Sequence, residues 1–132
     1  LLVDDEVGFI EMAVPMLERL GYRVTSATDS IVAMRIFITS PDAFDLIIAD
    51  QTMPDFTGIE LATEVRCIRK DLPVILCTGY SEMVSPEIAK EAGVAEFLMK
   101  PIRKKQMAHA IRRVLDRQKI SRGAVQGRNF QS

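Results

Sequence analysis

The stretch that decides the fold is IIADQTMPDFTG, residues 47–58. It begins as an apolar β-type run, reaches the carboxylate of Asp50, and continues into a turn-forming segment that contains Pro54 and Gly58. An almost wholly apolar strand is typical of the centre of a parallel sheet, where both faces are covered by helices. Asp50 is therefore expected at the end of a buried strand. Taken alone, it could equally cap the helix that follows.

Short β-type runs alternate with segments of helical periodicity along the chain. The predicted strands are residues 1–3, 22–27, 45–49, 73–77 and 95–99. Apolar residues recur at helical spacing between them and after the last one, for example at Ile10, Ala13, Leu17 and Leu20. Parallel neighbours need crossover helices, so five strands alternating with five helices indicate an α/β fold with a parallel sheet.

Three residues bear on where the helices end or bend. Gly21 and Gly93 each follow a helical segment, where a left-handed cap is favourable. Pro15 lies in the middle of the first predicted helix and removes one backbone hydrogen bond there. We expect a kink or a locally opened turn at Pro15.

Length and composition indicate a single globular domain. The chain has 132 residues, of which 48% are hydrophobic, and this is enough for one core. Its longest apolar runs fall far short of the roughly 18 residues that suggest a membrane span. Cys67 and Cys77 have no metal-binding spacing, and no secretory signal is recognisable, so the predicted location is the cytoplasm.

Charge is unevenly distributed along the chain. From residue 103 onward, nine basic residues face one acidic residue, whereas residues 1–102 contain eight basic and 17 acidic residues. We predict an ordered domain at 1–119 and a basic, disordered tail at 120–132, with no direct contact to nucleic acid or membrane. The chain begins inside an apolar run without an initiator methionine, which suggests a piece of a longer protein.

Polar residues follow four of the predicted strands. Asp4 and Asp5 come after the first strand, and Asp50, Thr78 and Lys100 after the third, fourth and fifth. Ligands bind beyond the carboxyl ends of the strands in open parallel sheets, so these side chains are expected at one edge.

The chemistry of these groups indicates phosphoryl transfer. Three clustered carboxylates repel one another and favour a cation, and oxygen ligands suit Mg²⁺. An Asp carboxylate can act as a nucleophile and form an aspartyl phosphate, with Lys100 and Thr78 stabilising the phosphoryl oxygens. The predicted reaction is phosphorylation of Asp50. Each residue also has a plainer explanation: residues 4–6 could form a solvated turn, and Lys100 could make only a structural ion pair.

The sequence resembles the receiver domain of two-component response regulators. The resemblance rests on DDE at 4–6, DQTMPDFTG at 50–58, TG at 78–79 and KP at 100–101, and it covers residues 1 to about 119. It implies a doubly wound, flavodoxin-like sheet in the order 2-1-3-4-5 and a phosphohistidine donor on a histidine kinase. The details look most like bacterial receivers at the C-terminus of hybrid sensor kinases, which would place the donor in the same chain.

The resemblance also implies a metal site. Asp5 would bind Mg²⁺ directly and Asp4 mostly through water, while Asp50 and the backbone carbonyl of Thr52 would complete the protein ligands; Mn²⁺ can take the place of Mg²⁺.

Other residues would act in the switch and in the lifetime of the phosphate. Thr78 would move toward the phosphoryl group, and Phe97 would swing inward with it, although Phe97 could simply be a core residue. The Lys100–Pro101 bond is often cis in the family. Thr52 and Tyr80 flank the path of hydrolytic water, and the bulk of Tyr80 favours a long-lived phosphate, although Tyr80 could be an ordinary loop residue.

The expected protein is an acceptor that catalyses its own phosphorylation and slow dephosphorylation, without turnover of a separate substrate. The resemblance implies a homodimer or partner face on the fourth helix, fifth strand and fifth helix. His109, the single histidine, lies in the last helix and is expected at the surface.

Two other functions remain as alternatives. A receiver fold could act by interaction alone, without phosphorylation. A phosphatase of the haloacid dehalogenase type also phosphorylates an Asp after a strand, but it needs a second Asp where this chain has Thr52. A nucleotide-binding function is disfavoured because no glycine-rich phosphate loop follows any strand.

Overall fold

The computed structural model describes residues 1–79 and 84–131, with side chains as far as residue 119. Its centre is a five-stranded parallel sheet in the order β2-β1-β3-β4-β5. The strands are β1 (Leu2–Val3), β2 (Ser26–Ala27), β3 (Ile47–Asp50), β4 (Val74–Thr78) and β5 (Val94–Met99). The helices are α1 (Val7–Arg19), α2 (Ser30–Thr39), α3 (Gly58–Ile68), α4 (Pro86–Glu91) and α5 (Lys104–Gln131), and a short 3-10 turn covers Pro41–Ala43. The doubly wound, flavodoxin-like prediction is confirmed.

Alternating side chains of the central strands build a core on each face of the sheet. Ile47 and Ala49 of β3 pack with α2 and α3, whereas Ile48 packs with α1 and α5. This division follows from the period of two along a strand, which sends successive side chains to opposite faces. Because both faces are covered, β3 and β4 are buried along their whole length, as expected for central strands.

Capping residues define most helix boundaries. Asp29 caps α2 and Ser85 caps α4, each accepting a hydrogen bond from a backbone N–H of the first turn. Thr57 and Glu60 form a reciprocal capping box at the start of α3. Gly21 and Gly93 have φ angles of +97° and +87°, so both predicted left-handed caps are confirmed.

Arg69 connects the end of α3 to the 3-10 turn that precedes β3. Its guanidinium donates to the backbone carbonyls of Pro41 (2.9 Å) and Phe44 (2.6 Å), and it also pairs with Asp71. The Arg69 side chain is only 13% exposed. These contacts stabilise the chain at the amino end of the sheet, opposite the edge where the predicted site lies.

Several local predictions differ from the structure. The second strand was predicted at 22–27 but comprises only Ser26–Ala27, because an edge strand is defined by its partner and β1 pairs with it at only two positions. Leu20 is exposed because it follows the last turn of α1 and extends beyond the core. The helix α1 runs from Val7 to Arg19 with Pro15 inside it, and the kink expected at Pro15 stays a prediction.

The last helix extends past the predicted end of the ordered domain. The helix α5 continues to Gln131, whereas the predicted boundary between the domain and its tail is at residue 119. Extending an existing helix needs no new nucleus, and each added residue forms a backbone hydrogen bond without requiring a buried apolar face. Within the described ranges, no helix combines the length and apolarity needed to cross a membrane.

Candidate functional site

Three carboxylates meet at the carboxyl edge of the sheet. Asp4 and Asp5 follow β1, and Asp50 ends β3, which pairs with β1. One oxygen from each of the three lies within 4.8 Å of the others. Asp4 and Asp50 are each only 2% exposed, while Asp5 faces solvent. The structure therefore brings the predicted acids together, with two of them in the protein interior and one at the opening.

Burial and a neighbouring acid both act on the pKa of Asp4. Burial raises the pKa of this carboxyl from its ordinary value of 3.8 to about 6, and the charge of Asp50 adds to the rise. The backbone N–H of Glu6 opposes the shift by donating to Asp4 Oδ1 at 2.8 Å. Ionised Asp4 is thus costly in this pocket, as expected for a buried acid beside another acid. A bound cation would lower that cost.

Lys100 is the cation that the fold itself supplies. Its Nζ lies 2.7 Å from Asp50 Oδ1, and its backbone N–H donates to the carbonyl of Thr78 at 2.8 Å. Partial burial alone would lower the pKa of Lys100, but the hydrogen bond and charge of Asp50 outweigh it, so the pKa is raised. Lys100 therefore carries its charge at neutral pH. The Lys100–Pro101 bond is cis, as the family resemblance implies.

Thr78 ends β4, and Phe97 lies within the neighbouring strand β5. Thr78 is 1% exposed, and its hydroxyl donates to the thioether sulfur of Met99 at 3.5 Å, a weak hydrogen bond. Thr78 and Met99 face each other across the β4–β5 ladder. The Phe97 side chain is 38% exposed. Phe97 is therefore not a buried core residue in this conformation, which was the plainer alternative.

The loop after Asp50, residues 51–58, is tightly organised. Gly58 begins α3 so close to β3 that an added Cβ would lie 2.6 Å from the carbonyl oxygen of Asp50 and would also meet Leu76. Asp55 adopts a positive φ of 73°, which Asp tolerates better than most residues. Ser30 of α2 is fully buried, donating to the Pro54 carbonyl and accepting from the Phe56 N–H, both at 3.0 Å.

A divalent ion fits this set of donors. An octahedral Mg²⁺ with ligands at about 2.1 Å keeps its ligand oxygens roughly 3 to 4 Å apart. The carboxylate oxygens lie within 4.8 Å of one another, close enough for a single ion to bind them directly or through water. Asp4, Asp5 and Asp50 would hold the ion, and Lys100 leaves two of their three negative charges uncompensated.

Five of the predicted site residues lie together at the carboxyl edge of the sheet, and the others lie elsewhere or outside the described residues. Asp4, Asp5, Asp50, Thr78 and Lys100 converge as expected. Thr52 is exposed in the loop beside them, and Tyr80 lies outside the described residues. His109 is exposed on α5.

Three residues near the site were not predicted from the sequence: Ser30, Met99 and Gln51. The hydrogen bonds of Ser30 and Gln51 depend on how the β3–α3 loop closes, whereas that of Met99 follows from the pairing of β4 with β5. The sequence offered one indication of such residues, namely a polar residue next to an apolar or turn-forming motif. Gln51, directly after Asp50, is an example.

Comparison with known proteins agrees with this geometry. Residues 1–112 match the family described as the response regulator receiver domain. The chain belongs to that family. Its receiver fold is similar to the crystal structure of a response regulator receiver domain protein from Clostridium thermocellum. The TM-score is 0.84, with 28% identity and coverage of 90% of this chain and 94% of that one.

Curated relatives of this receiver domain are longer proteins. The two-component response regulator ARR14 of Arabidopsis thaliana is 32% identical over 117 residues, covering 86% of this chain and 31% of the relative. The transcriptional regulatory protein GlrR of Escherichia coli is 31% identical over 111 residues, covering 84% of this chain and 24% of the relative. The chain thus spans less than a third of the length of these relatives.

Proposed function

We propose that this receiver domain takes a phosphoryl group on Asp50 from the phosphohistidine of a histidine kinase, with Mg²⁺ bound at Asp4, Asp5 and Asp50. The observation that carries the proposal is the pairing of three converging carboxylates with Lys100, whose Nζ lies 2.7 Å from Asp50. A structural ion pair needs one acid and one base. Two further acids beside that pair, one of them buried, support a site for a cation and an anionic substrate.

The proposed step is a displacement at phosphorus. A carboxylate oxygen of Asp50 forms a bond to phosphorus as the bond from phosphorus to the donor imidazole nitrogen breaks. The imidazole leaves with that electron pair and remains a neutral ring on the kinase after proton exchange. Lys100 lies where its ammonium group can neutralise charge on the transferred phosphoryl oxygens. The product is an acyl phosphate on Asp50.

The charges explain why the metal is needed. Asp4, Asp5 and Asp50 carry three negative charges and Lys100 one positive charge, so the site alone repels an anion. Held by Asp4, Asp5 and Asp50, Mg²⁺ would offset the remaining two charges and supply positive charge for the approach of an anionic group. The protein residues orient the reactants: β3 fixes Asp50, and Thr78 ends β4 next to it. We include Thr52 as a further ligand through its carbonyl, with Mn²⁺ as a substitute ion.

Thr78 and Phe97 form the proposed switch. In this structure the Thr78 hydroxyl is engaged only weakly, by the sulfur of Met99, and Phe97 is 38% exposed. A phosphoryl oxygen on Asp50 is a stronger, charged acceptor for that hydroxyl. Movement of Thr78 toward it would free space for Phe97 to turn inward, so phosphorylation would shift a population between two states. Phosphate lifetime would depend on Thr52 and Tyr80.

The proposed partner face comprises α4, β5 and α5, and it would bind a second receiver or an output protein. It exposes Ile88 and Phe97. Glu96 of β5 is paired on the same face with Arg113 and Arg117 of α5. An inward turn of Phe97 would change the apolar surface of this face.

We further propose a bacterial, cytoplasmic setting and fusion to a hybrid sensor kinase, for which the motifs in residues 50–101 are the support. The full upstream reading frame would test the fusion directly.

Acetyl phosphate tests the acceptor function without the kinase. Wild type incubated with acetyl phosphate and Mg²⁺ is expected to gain the mass of one phosphoryl group, and EDTA is expected to prevent the gain. Asp50→Asn, which keeps the size of the side chain but not its nucleophilic charge, is expected to gain none. Equal gains in the two proteins, or none in wild type, would contradict the proposal. The second result would favour a receiver that acts by interaction alone.

A further inference from the structure

Gln51 lies between the acceptor Asp50 and Thr52, and it makes three hydrogen bonds, two of which join the two ends of the loop at 51–58. Its N–H donates to the carbonyl of Cys77 at 2.9 Å and extends the β3–β4 ladder by one residue. Its backbone carbonyl accepts from the Gly58 N–H at 3.0 Å. Its side-chain Oε1 accepts from the Ile59 N–H at 3.0 Å. One residue therefore fixes both the end of β3 and the start of α3.

These bonds serve more than the helix start. The capping box of Thr57 and Glu60 already organises the first turn of α3. Gln51, at the other end of the loop, is hydrogen-bonded to that turn through its backbone carbonyl and its side chain. A substitution can remove only the side-chain bond. The Gln51 side-chain bond links the residue directly after Asp50 to the first turn of α3. The peptide group of Thr52 follows immediately.

We propose that Gln51 is a positioning residue for the metal and phosphoryl site. It would hold the Asp50 carboxylate and the Thr52 carbonyl in the geometry needed to bind Mg²⁺. This inference rests on the proposed function, because it assumes that Asp50 and Thr52 are ligands. Gln51 would bind neither the ion nor the phosphoryl group and would act through the backbone on either side of it.

Gln51→Met tests the inference because Met has a similar length but offers no oxygen acceptor to Ile59. We expect its Mg²⁺ dissociation constant, measured by calorimetry on the whole chain, to rise about tenfold, as for other residues that support metal ligands. Gln51→Glu keeps the Oε acceptor, and we expect it to bind Mg²⁺ at least as tightly as wild type. If Gln51→Met does not fold, Gln51→Asn, whose amide is one methylene too short, replaces it.

Ser85→Ala is the matched control. It removes one side-chain bond to a backbone N–H at the start of α4, where Ile88 donates to Ser85 at 3.3 Å. A purely structural effect on a helix start would lower the melting temperature in both variants and leave Mg²⁺ affinity unchanged in both. Positioning predicts a loss of Mg²⁺ affinity in Gln51→Met alone.

The outcomes separate this inference from the proposed function. Wild-type Mg²⁺ affinity in Gln51→Met, or an equal loss in Ser85→Ala, would overturn the role of Gln51 while leaving phosphorylation of Asp50 intact. Failure of wild type itself to bind Mg²⁺ or to take up phosphate would overturn both. Weak binding by Gln51→Met together with normal binding by Gln51→Glu would support the inference.

Discussion

Lys100 and Asp50 form an ion pair, 2.7 Å from Nζ to Oδ1, that joins the end of β5 to the end of β3 across the intervening strand β4. Asp50 is 2% exposed, whereas the Lys100 side chain is 29% exposed. The acid is thus fixed in the interior, and its partner reaches it from the surface. An approaching phosphoryl group would meet both at once.

Replacing Lys100 by Met is expected to separate metal binding from phosphorylation. The variant loses the cation that would stabilise the transferred phosphoryl oxygens, so the rate of phosphorylation by acetyl phosphate should fall about a hundredfold. Its Mg²⁺ affinity should stay the same or increase, because a positive charge beside the ion has been removed. Lys105→Met, at an exposed position on α5, is the control and should match wild type. An unchanged rate in Lys100→Met would contradict the role of Lys100.

Gly58→Ala is expected to destabilise the protein and disturb the site. The added Cβ would lie 2.6 Å from the backbone oxygen of Asp50, and overpacking of this kind costs about 1–3 kcal/mol. Gly8→Ala is the matched control, because nothing lies within 4 Å of its added Cβ and Ala favours a helix by about 1 kcal/mol over Gly. The change in the free energy of unfolding, measured in urea, should therefore have opposite signs in the two variants. Equal stability would contradict the close approach of α3 to β3.

Arg69→Met is expected to lower stability without changing the chemistry. It leaves the carbonyls of Pro41 and Phe44 without their shared donor, at a cost of about 1–3 kcal/mol. The affected turn lies at the amino end of β3, so the phosphorylation rate measured below the unfolding transition should equal that of wild type. Lys70→Met, on the exposed neighbour, should change neither quantity. A large loss of phosphorylation in Arg69→Met would show that the two ends of the sheet are coupled.

The raised pKa of Asp4 predicts that the stability of the metal-free protein, measured in EDTA, depends on pH. The pKa of Asp4 is about 6 in the folded protein and 3.8 ordinarily, so between these values the folded state binds more protons and this group destabilises the fold as pH rises. Asp4→Asn removes that cost and keeps an acceptor for the Glu6 N–H. Its melting temperature should exceed that of wild type most above pH 6, and the difference should shrink as pH falls toward 4. A difference in melting temperature that grows as the pH falls would contradict the raised pKa of Asp4.

The parts of the site that depend on topology could be predicted from the sequence. The carboxyl ends of parallel strands share one edge, so Asp5, Asp50 and Lys100 had to meet wherever the strands were correctly assigned. The cap glycines were equally accessible, because a left-handed residue after a helix favours Gly.

The remaining features depend on loop closure and on pairing partners. Ser30 contacts Pro54 and Phe56 at sequence separations of 24 and 26 residues, and no local pattern specifies such bonds. The length of β2 follows from its partner β1 rather than from its own β propensity. The continuation of α5 past residue 119 follows from helix propagation, which needs no new nucleus.

The most direct test of the central claim is the location of the phosphoryl group. After incubation with acetyl phosphate and Mg²⁺, borohydride reduction converts an aspartyl phosphate to homoserine, and peptide mass spectrometry finds the modified residue. We expect homoserine at position 50 and at no other acid of the cluster. Homoserine at Asp4 or Asp5 instead, or none at position 50 in a protein that has gained the phosphoryl mass, would contradict the account.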